Sequence, residues 1–269
     1  MASPSTRTVD FFIVGAQKGG TTALDLHLRQ MPGVQMASRK EVHFFDDEGQ
    51  DWANPDVDVL HGCFAWPSSA EASSTLRGEA TPIYSYWPRA IERIGRYNPS
   101  ARLIMCLRHP AHRASSQWRM ETRRGAETLT FSEAISATGR QRVSASPAGV
   151  HRVYSYVERG FYGGQIGSML SLFPREQIHF LRTDHLWNHP DATLRDVAAF
   201  LGVAPPRQGW TPAAGTSSGR THGGPPAATP EEIAGLTSLY AEDIRMTQAL
   251  TGLALSDWLD DAYREPMAP

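Results

Sequence analysis

Cysteine is nearly absent from this chain: Cys63 and Cys106 are the only two in 269 residues. They stand at unrelated places without a CxxC or Cys/His spacing, which argues against a disulfide framework or a zinc module and favours a reducing compartment. An excess of charge is also lacking. The 26 Lys and Arg against 28 Asp and Glu leave a net charge of -2, so no global field draws nucleic acid or anionic membrane. Anion binding must come from local groups. No stretch reaches the roughly 20 apolar residues of a membrane helix. The opening "MASPSTRTVDFF" has no basic segment followed by a long apolar one. A soluble, cytoplasmic protein is expected, with neither nucleic acid nor membrane as a partner.

What is present is an ordinary core. With 41% hydrophobic residues, the chain supports one domain over residues 1–269. Short apolar runs alternate with helical patterns, the signature of an α/β fold with a parallel β-sheet flanked by helices. Strands are expected at Phe11–Val14, Val34–Ala37, Leu76–Pro82, Ala101–Leu107 and Gln177–Leu181. "LIMCL" is the clearest of them and buries Cys106 as an inert thiol. Helices are expected over Thr21–Met31, within "YWPRAIERIGRYNP" with Pro88 near the first turn, from His109 to about Gly125, and over Phe131–Ala137, Tyr154–Phe173 and Asp191–Leu201. A last one spans "EEIAGLTSLYAEDIRMTQAL". Residues 213–230 are rich in Gly, Ser, Thr and Pro, which suits a linker or a lid over a bound ligand.

The chemistry concentrates in "VDFFIVGAQKGGTTALDLHL". Gly15 and Gly20 keep the spacing of a nucleotide P-loop, G-x-x-x-x-G-K-[ST]. Thr21 stands where the lysine belongs, however, and Lys18 lies inside the turn. Backbone N–H groups of Gly19, Gly20, Thr21 and Thr22 at a helix N-terminus still suit a single phosphate. A surface lysine on an ordinary strand–turn–helix would look the same. No acidic residue closes a strand to hold Mg²⁺; "CLRHP" puts Arg108 there. No metal site is expected, and a P-loop nucleotide kinase fits less well.

Three segments together resemble the sulfotransferases that use 3′-phosphoadenosine 5′-phosphosulfate (PAPS), the heparan-sulfate type more than the cytosolic phenol or steroid type. "GAQKGGTTAL" is similar to the family's 5′-phosphosulfate loop, "KEVHFFD" to its acceptor-activating segment, and "LIMCLRHPAHRASSQW" to its 3′-phosphate strand and helix. Weaker similarity runs on through "GEATPIY", "RGFYGGQIGSMLSLFP" and "FLGV". The resemblance implies a P-loop NTPase-like sulfotransferase fold. It implies sulfuryl transfer from PAPS to a hydroxyl, leaving the 3′,5′-bisphosphate product, with no metal required.

By that resemblance Lys18 steadies the bridging oxygen as the bond to sulfur breaks, and Glu41 is the base. His43 is the alternative base: in an extended segment i and i+2 share a face, and histidine titrates near neutrality. Arg108 and Ser116 form the 3′-phosphate clamp, although an arginine closing a strand also commonly serves a structural ion pair. Ser218 or Arg220 would cap the nucleotide. Asp46 matches an acidic residue of the family's substrate cleft, and Tyr162 matches an aromatic position near the ligands that serves equally well as core. Two departures stand out. Gln17 replaces a basic residue before the loop lysine, and Ala80 replaces the lysine of an "EKTP"-like stretch. Both losses weaken the case for a polyanionic glycan as acceptor. A small hydroxylated metabolite or glycoside is expected from the likeness to a free bacterial-style enzyme, not from particular residues. Arg123, Arg124, Arg152 and Arg159 remain as sources of a basic cleft. The non-catalytic alternative is a silent nucleotide-binding domain.

Overall fold

The computed structural model describes residues 7–66, 75–211 and 225–266. Five strands form one sheet: β1 Phe11–Gly15, β2 Val34–Met36, β3 Leu76–Ala80, β4 Arg102–Leu107 and β5 Ile178–Arg182. The helices are α1 Thr21–Leu28, α2 Asp58–His61, α3 Ala90–Tyr97, α4 Pro110–Arg123 and α5 Phe131–Ile135. They continue with α6 Ala137–Ser144, α7 Tyr162–Leu172, α8 Thr183–Asn188, α9 Pro190–Leu201 and α10 Pro230–Thr251. No helix among the described residues is long and apolar enough to cross a membrane.

Strand order is β2-β3-β1-β4-β5, and every pairing is parallel. Parallel strands covered on both faces need apolar residues on both faces, and all five residues of β1 are buried. Phe12 and Val14 point into one core layer with Leu103, Met105, Ile94, Trp118, Ile166 and Tyr240. Phe11 and Ile13 point into the other with Ile104, Leu24, Leu28, Leu194 and Val197. That alternation is the two-residue period of a strand, and each fully buried side chain stabilises the fold by about 1.5–3 kcal/mol. The result is a helix–sheet–helix sandwich. The chain builds β2 and β3 on one side of β1, then β4 and β5 on the other. The strand order therefore reverses beside β1, and ligands of such sheets bind outside the carboxyl ends at that point.

Some elements differ from the sequence reading. Residues 154–161 hold no α-helix, only a 3-10 turn at Glu158–Gly160, and α7 begins at Tyr162. Side chains take the carbonyls a helix would have used: Arg113 binds Tyr156 O, Gln117 binds Val153 O and Tyr240 binds Val157 O. Pro88 does not open α3; Arg89 takes a left-handed φ of 64° and the helix starts at Ala90. Where Phe131–Ala137 was expected as one helix, α5 stops at Ile135. Ser136 then caps a separate α6 by accepting from Gly139 N.

Candidate active site

The turn after β1 is built for an anion. Lys18 and Gly20 take left-handed φ values of 69° and 83°. Gly20 stands at the N-cap of α1, and no side chain caps that helix. Backbone N–H groups of Gly20, Thr21 and Thr22 make no backbone hydrogen bond among the described residues, leaving the first donors of α1 for a ligand. Gly19, expected among these donors, spends its N–H on Ala16 O at 2.8 Å. Its contribution is steric. A Cβ on Gly19 would lie 2.6 Å from Cys106 O and 2.8 Å from Ala16 O, so β4 presses against the turn. Thr183 Oγ1 donates to Gly19 O at 2.7 Å and fixes it from the β5 side.

The Lys18 ammonium rests 3.8 Å from Met120 Sδ and has no carboxylate in ion-pairing range among the described residues. Burial, then the nearby Arg108, Arg123 and Arg124, lower its pKa to about 8. A half-buried ammonium among guanidinium groups is poised for an incoming anion.

Arg108 follows β4 and joins the two anion-binding regions. Its Nη1 donates to Lys18 O at 2.9 Å, tying it to the turn. Its outer face lines a cavity of about 230 Å³ shared with His112, Ser115, Ser116, Arg119 and Arg123. Ala227 and Ala228, from the described end of the Gly/Pro-rich stretch, also line it. Burial, then Arg108, lower the His112 pKa to about 4, so that ring is neutral and the cavity's positive charge is carried by arginine. Arg108 already holds one anion: Nε and Nη2 donate to Glu265 at 2.7 and 2.5 Å. The structural ion pair and the cationic cavity thus coexist at one residue.

The segment "KEVHFFD" lies beside the end of β3 but is not extended. Glu41 and His43 have φ of 61° and 59°, so the two-residue strand period does not apply. They meet nonetheless: His43 Nε2 lies 3.7 Å from Glu41 Oε2, and Nδ1 lies 2.9 Å from Asp46 Oδ2. Hydrogen bonding to Asp46, then to Glu41, raises the His43 pKa to about 9. Burial would raise the Glu41 carboxyl, but His43 and Lys40 outweigh it and hold it at about 2. At neutral pH the pair is therefore an imidazolium and a carboxylate. The Glu41 carboxylate is near enough to act on Lys18, weakly opposing the fall of its pKa.

Asp46 and Tyr162 are both buried, and Tyr162 takes the core alternative. Asp46 is 0% exposed and held between His43 and Arg152; it stands behind the histidine. Burial opposes its ionisation, but those two partners keep its pKa below the usual value. The Tyr162 ring is 1% exposed, and its hydroxyl donates to Arg108 O at 2.8 Å. It buttresses the strand end carrying Arg108 and does not line an acceptor cleft. Of the four other arginines, Arg123 faces the anion cavity and Arg124 pairs with Glu121 at 3.3 Å. Arg152 is tied to Asp46, and Arg159 donates to Gln17 Oε1. Ser218 and Arg220 lie outside the described residues. Sequence reasoning missed His112, Arg119, Thr183 and Glu265. The first two lie within the α4 segment already singled out, whereas Glu265 lies in a tail with no motif.

A parallel sheet whose first turn presents free amides, with an arginine of the neighbouring strand's end tied to that turn, defines an anion-binding protein of the P-loop NTPase-like fold. The Sulfotransferase family matches residues 85–206. Heparan sulfate glucosamine 3-O-sulfotransferase 3A1 of Mus musculus is 31% identical over 196 residues, 71% of this chain and 45% of that protein. Heparan sulfate glucosamine 3-O-sulfotransferase 5 of Mus musculus is 29% identical over 202 residues, 72% of this chain and 53% of that protein. The chain thus spans about half the length of the curated relatives it matches. A crystal structure of a sulfotransferase from Alicyclobacillus acidocaldarius superposes with a TM-score of 0.74 at 27% identity, covering 95% of this chain and 100% of that one. In sequence and in fold the chain is similar to the sulfotransferases, and it resembles the heparan-sulfate ones among them.

Proposed function

We propose that this protein is an O-sulfotransferase that moves a sulfuryl group from PAPS to a hydroxyl of a small metabolite or glycoside. The observation that carries the reading is the 2.9 Å hydrogen bond from Arg108 to Lys18 O. It makes the turn after β1 and the cationic cavity one unit. The residues fit the donor. The amides of Gly20, Thr21 and Thr22 suit its 5′-phosphate, while Arg108 and Ser116 suit its 3′-phosphate in two-point fashion. The donor supplies a sulfuryl group that is neutral as a fragment, so the charge to be stabilised lies on the leaving oxygen.

Lys18 places an ammonium beside that oxygen, a preorganised electrostatic role. Glu41 accepts the acceptor's hydroxyl proton. His43 is a poor base at neutral pH because it already carries a proton, and it instead orients the Glu41 carboxylate. The acceptor class rests on the charge pattern. The relatives are named for heparan sulfate, but here Gln17 and Ala80 stand at positions basic in such enzymes. Lys40 and Arg152 are paired with Glu41 and Asp46. An uncharged acceptor meets these groups without having to outcompete carboxylates. The protein is read as a cytoplasmic enzyme of secondary metabolism, and residues 213–230, with Ser218 and Arg220, as a cap over the nucleotide.

The test is incubation with PAPS and a panel of glycosides, phenols and hydroxylated metabolites, read by mass spectrometry for a gain of SO₃. A Glu41→Gln control is expected to lose about 10²–10⁴-fold in turnover while binding the bisphosphate product normally. Full activity in that variant would move the base role away from Glu41.

A further inference from the structure

Glu79 is the penultimate residue of β3, and its side chain is 0% exposed. Packing alone gives no reason for a carboxyl there, because burying one without partners is costly. Its partners explain it. Oε1 accepts from Val42 N at 3.2 Å and from Thr81 Oγ1 at 2.5 Å. Thr81 Oγ1 in turn accepts from His43 N at 3.3 Å, and Ala80 O accepts from Glu41 N at 3.0 Å. Three consecutive amides, those of Glu41, Val42 and His43, are thus held by three consecutive residues at the end of one strand.

The turn needs such a grip. Glu41 and His43 both sit in the left-handed region that side chains other than glycine rarely adopt. Such conformations cost free energy and persist only where the surroundings over-determine them. Relaxing the turn would swing Glu41 and His43 apart. The second oxygen, Oε2, is buried without a hydrogen-bond partner among the described residues. The carboxyl therefore bonds through Oε1 alone, to the turn directly at Val42 N and to Thr81, which holds His43 N. Burial accordingly raises its pKa to about 7.

We propose that Glu79, acting with Thr81, is a positioning residue for sulfuryl transfer: it clamps the strained 41–43 turn so that Glu41 faces the acceptor hydroxyl. This rests on the sulfotransferase reading and extends it to two residues that touch neither substrate. It separates the site into a nucleotide half, formed by the turn after β1 and Arg108, and an acceptor half suspended from β3.

The experiment measures kcat and the Kd for adenosine 3′,5′-bisphosphate in Glu79→Ala, Glu79→Gln, Thr81→Val and Thr81→Ser. It also follows the His43 ring titration by NMR in each. Glu79→Ala and Thr81→Val are expected to lower kcat about 100-fold with Kd changed less than about twofold. Glu79→Gln and Thr81→Ser, which keep an acceptor for the Val42 or His43 amide, are expected to stay within about tenfold of the wild type. The His43 midpoint should fall from about 9 toward the ordinary value of about 6.5 in Glu79→Ala and Thr81→Val as Asp46 and Glu41 drift from the ring. If Glu79→Ala does not fold, Thr81→Val carries the test. Wild-type kcat in the disruptive variants, joint loss of kcat and nucleotide affinity, or an unmoved His43 titration would overturn the proposal. If the wild type transfers no sulfuryl group to any acceptor, the functional reading fails instead, and the His43 titration still decides the clamp.

Discussion

The Glu265–Arg108 pair yields a prediction with opposite signs in two assays. Both side chains are largely buried, at 16% and 12% exposure for Arg108 and Glu265. Glu265 is carried by a segment anchored where Tyr263 stacks on His109 at 5.0 Å and its hydroxyl donates to Asp184 at 3.3 Å. A nucleotide whose 3′-phosphate binds Arg108 must first expel this carboxylate. Glu265→Gln keeps the size of the side chain and removes the charge. A charge-assisted hydrogen bond contributes about 1.5–3 kcal/mol, so the cost of displacement should fall by at least about 1.4 kcal/mol, or tenfold in Kd. Without nucleotide the same change leaves Arg108 poorly compensated, and breaking such a buried pair costs about 3 kcal/mol of stability. Isothermal titration with adenosine 3′,5′-bisphosphate should therefore show at least about tenfold tighter binding. Thermal unfolding of the free protein should shift downward. Unchanged or weaker binding in Glu265→Gln would show that Arg108 is a structural residue and that the nucleotide's second phosphate goes elsewhere.

Two further outcomes follow from the site. Lys18→Ala should lower kcat by about 10²–10³-fold, as removal of a donor to a developing charge does, and weaken bisphosphate binding only modestly; loss of binding with unchanged kcat would contradict this. The pH profile of kcat/KM should fall as pH rises through about 8, where free-enzyme Lys18 loses its proton, and more steeply beyond about 9, where His43 follows. No acid limb from Glu41 is expected above about 2, and a flat profile between neutrality and the alkaline end would remove Lys18 from its role.

How far the sequence reached depends on how local the determining interactions were. β1, β4 and α9 were legible because a buried parallel strand is a continuous apolar run and a helix ending at Gly202 carries its own stop, a left-handed φ of 70°. The turn between β1 and α1 was legible because glycine spacing is local. Residues 153–157 were not, because their carbonyls at Val153, Tyr156 and Val157 are claimed by Gln117, Arg113 and Tyr240 from distant elements. Glu41 and His43 were placed together for a reason that fails, since their segment is not extended. What brings them together is the end of β3, some 40 residues away. Glu265 reaches Arg108 across 157 positions, and no periodicity or motif marks so remote a pairing.

The measurement that bears most directly on the central claim is a crystal structure with adenosine 3′,5′-bisphosphate bound. The 5′-phosphate is expected on the amides of Gly20, Thr21 and Thr22 beside Lys18, and the 3′-phosphate on Arg108 and Ser116 with Glu265 displaced. A nucleotide found with neither phosphate on these groups, and Glu265 still on Arg108, would contradict the account.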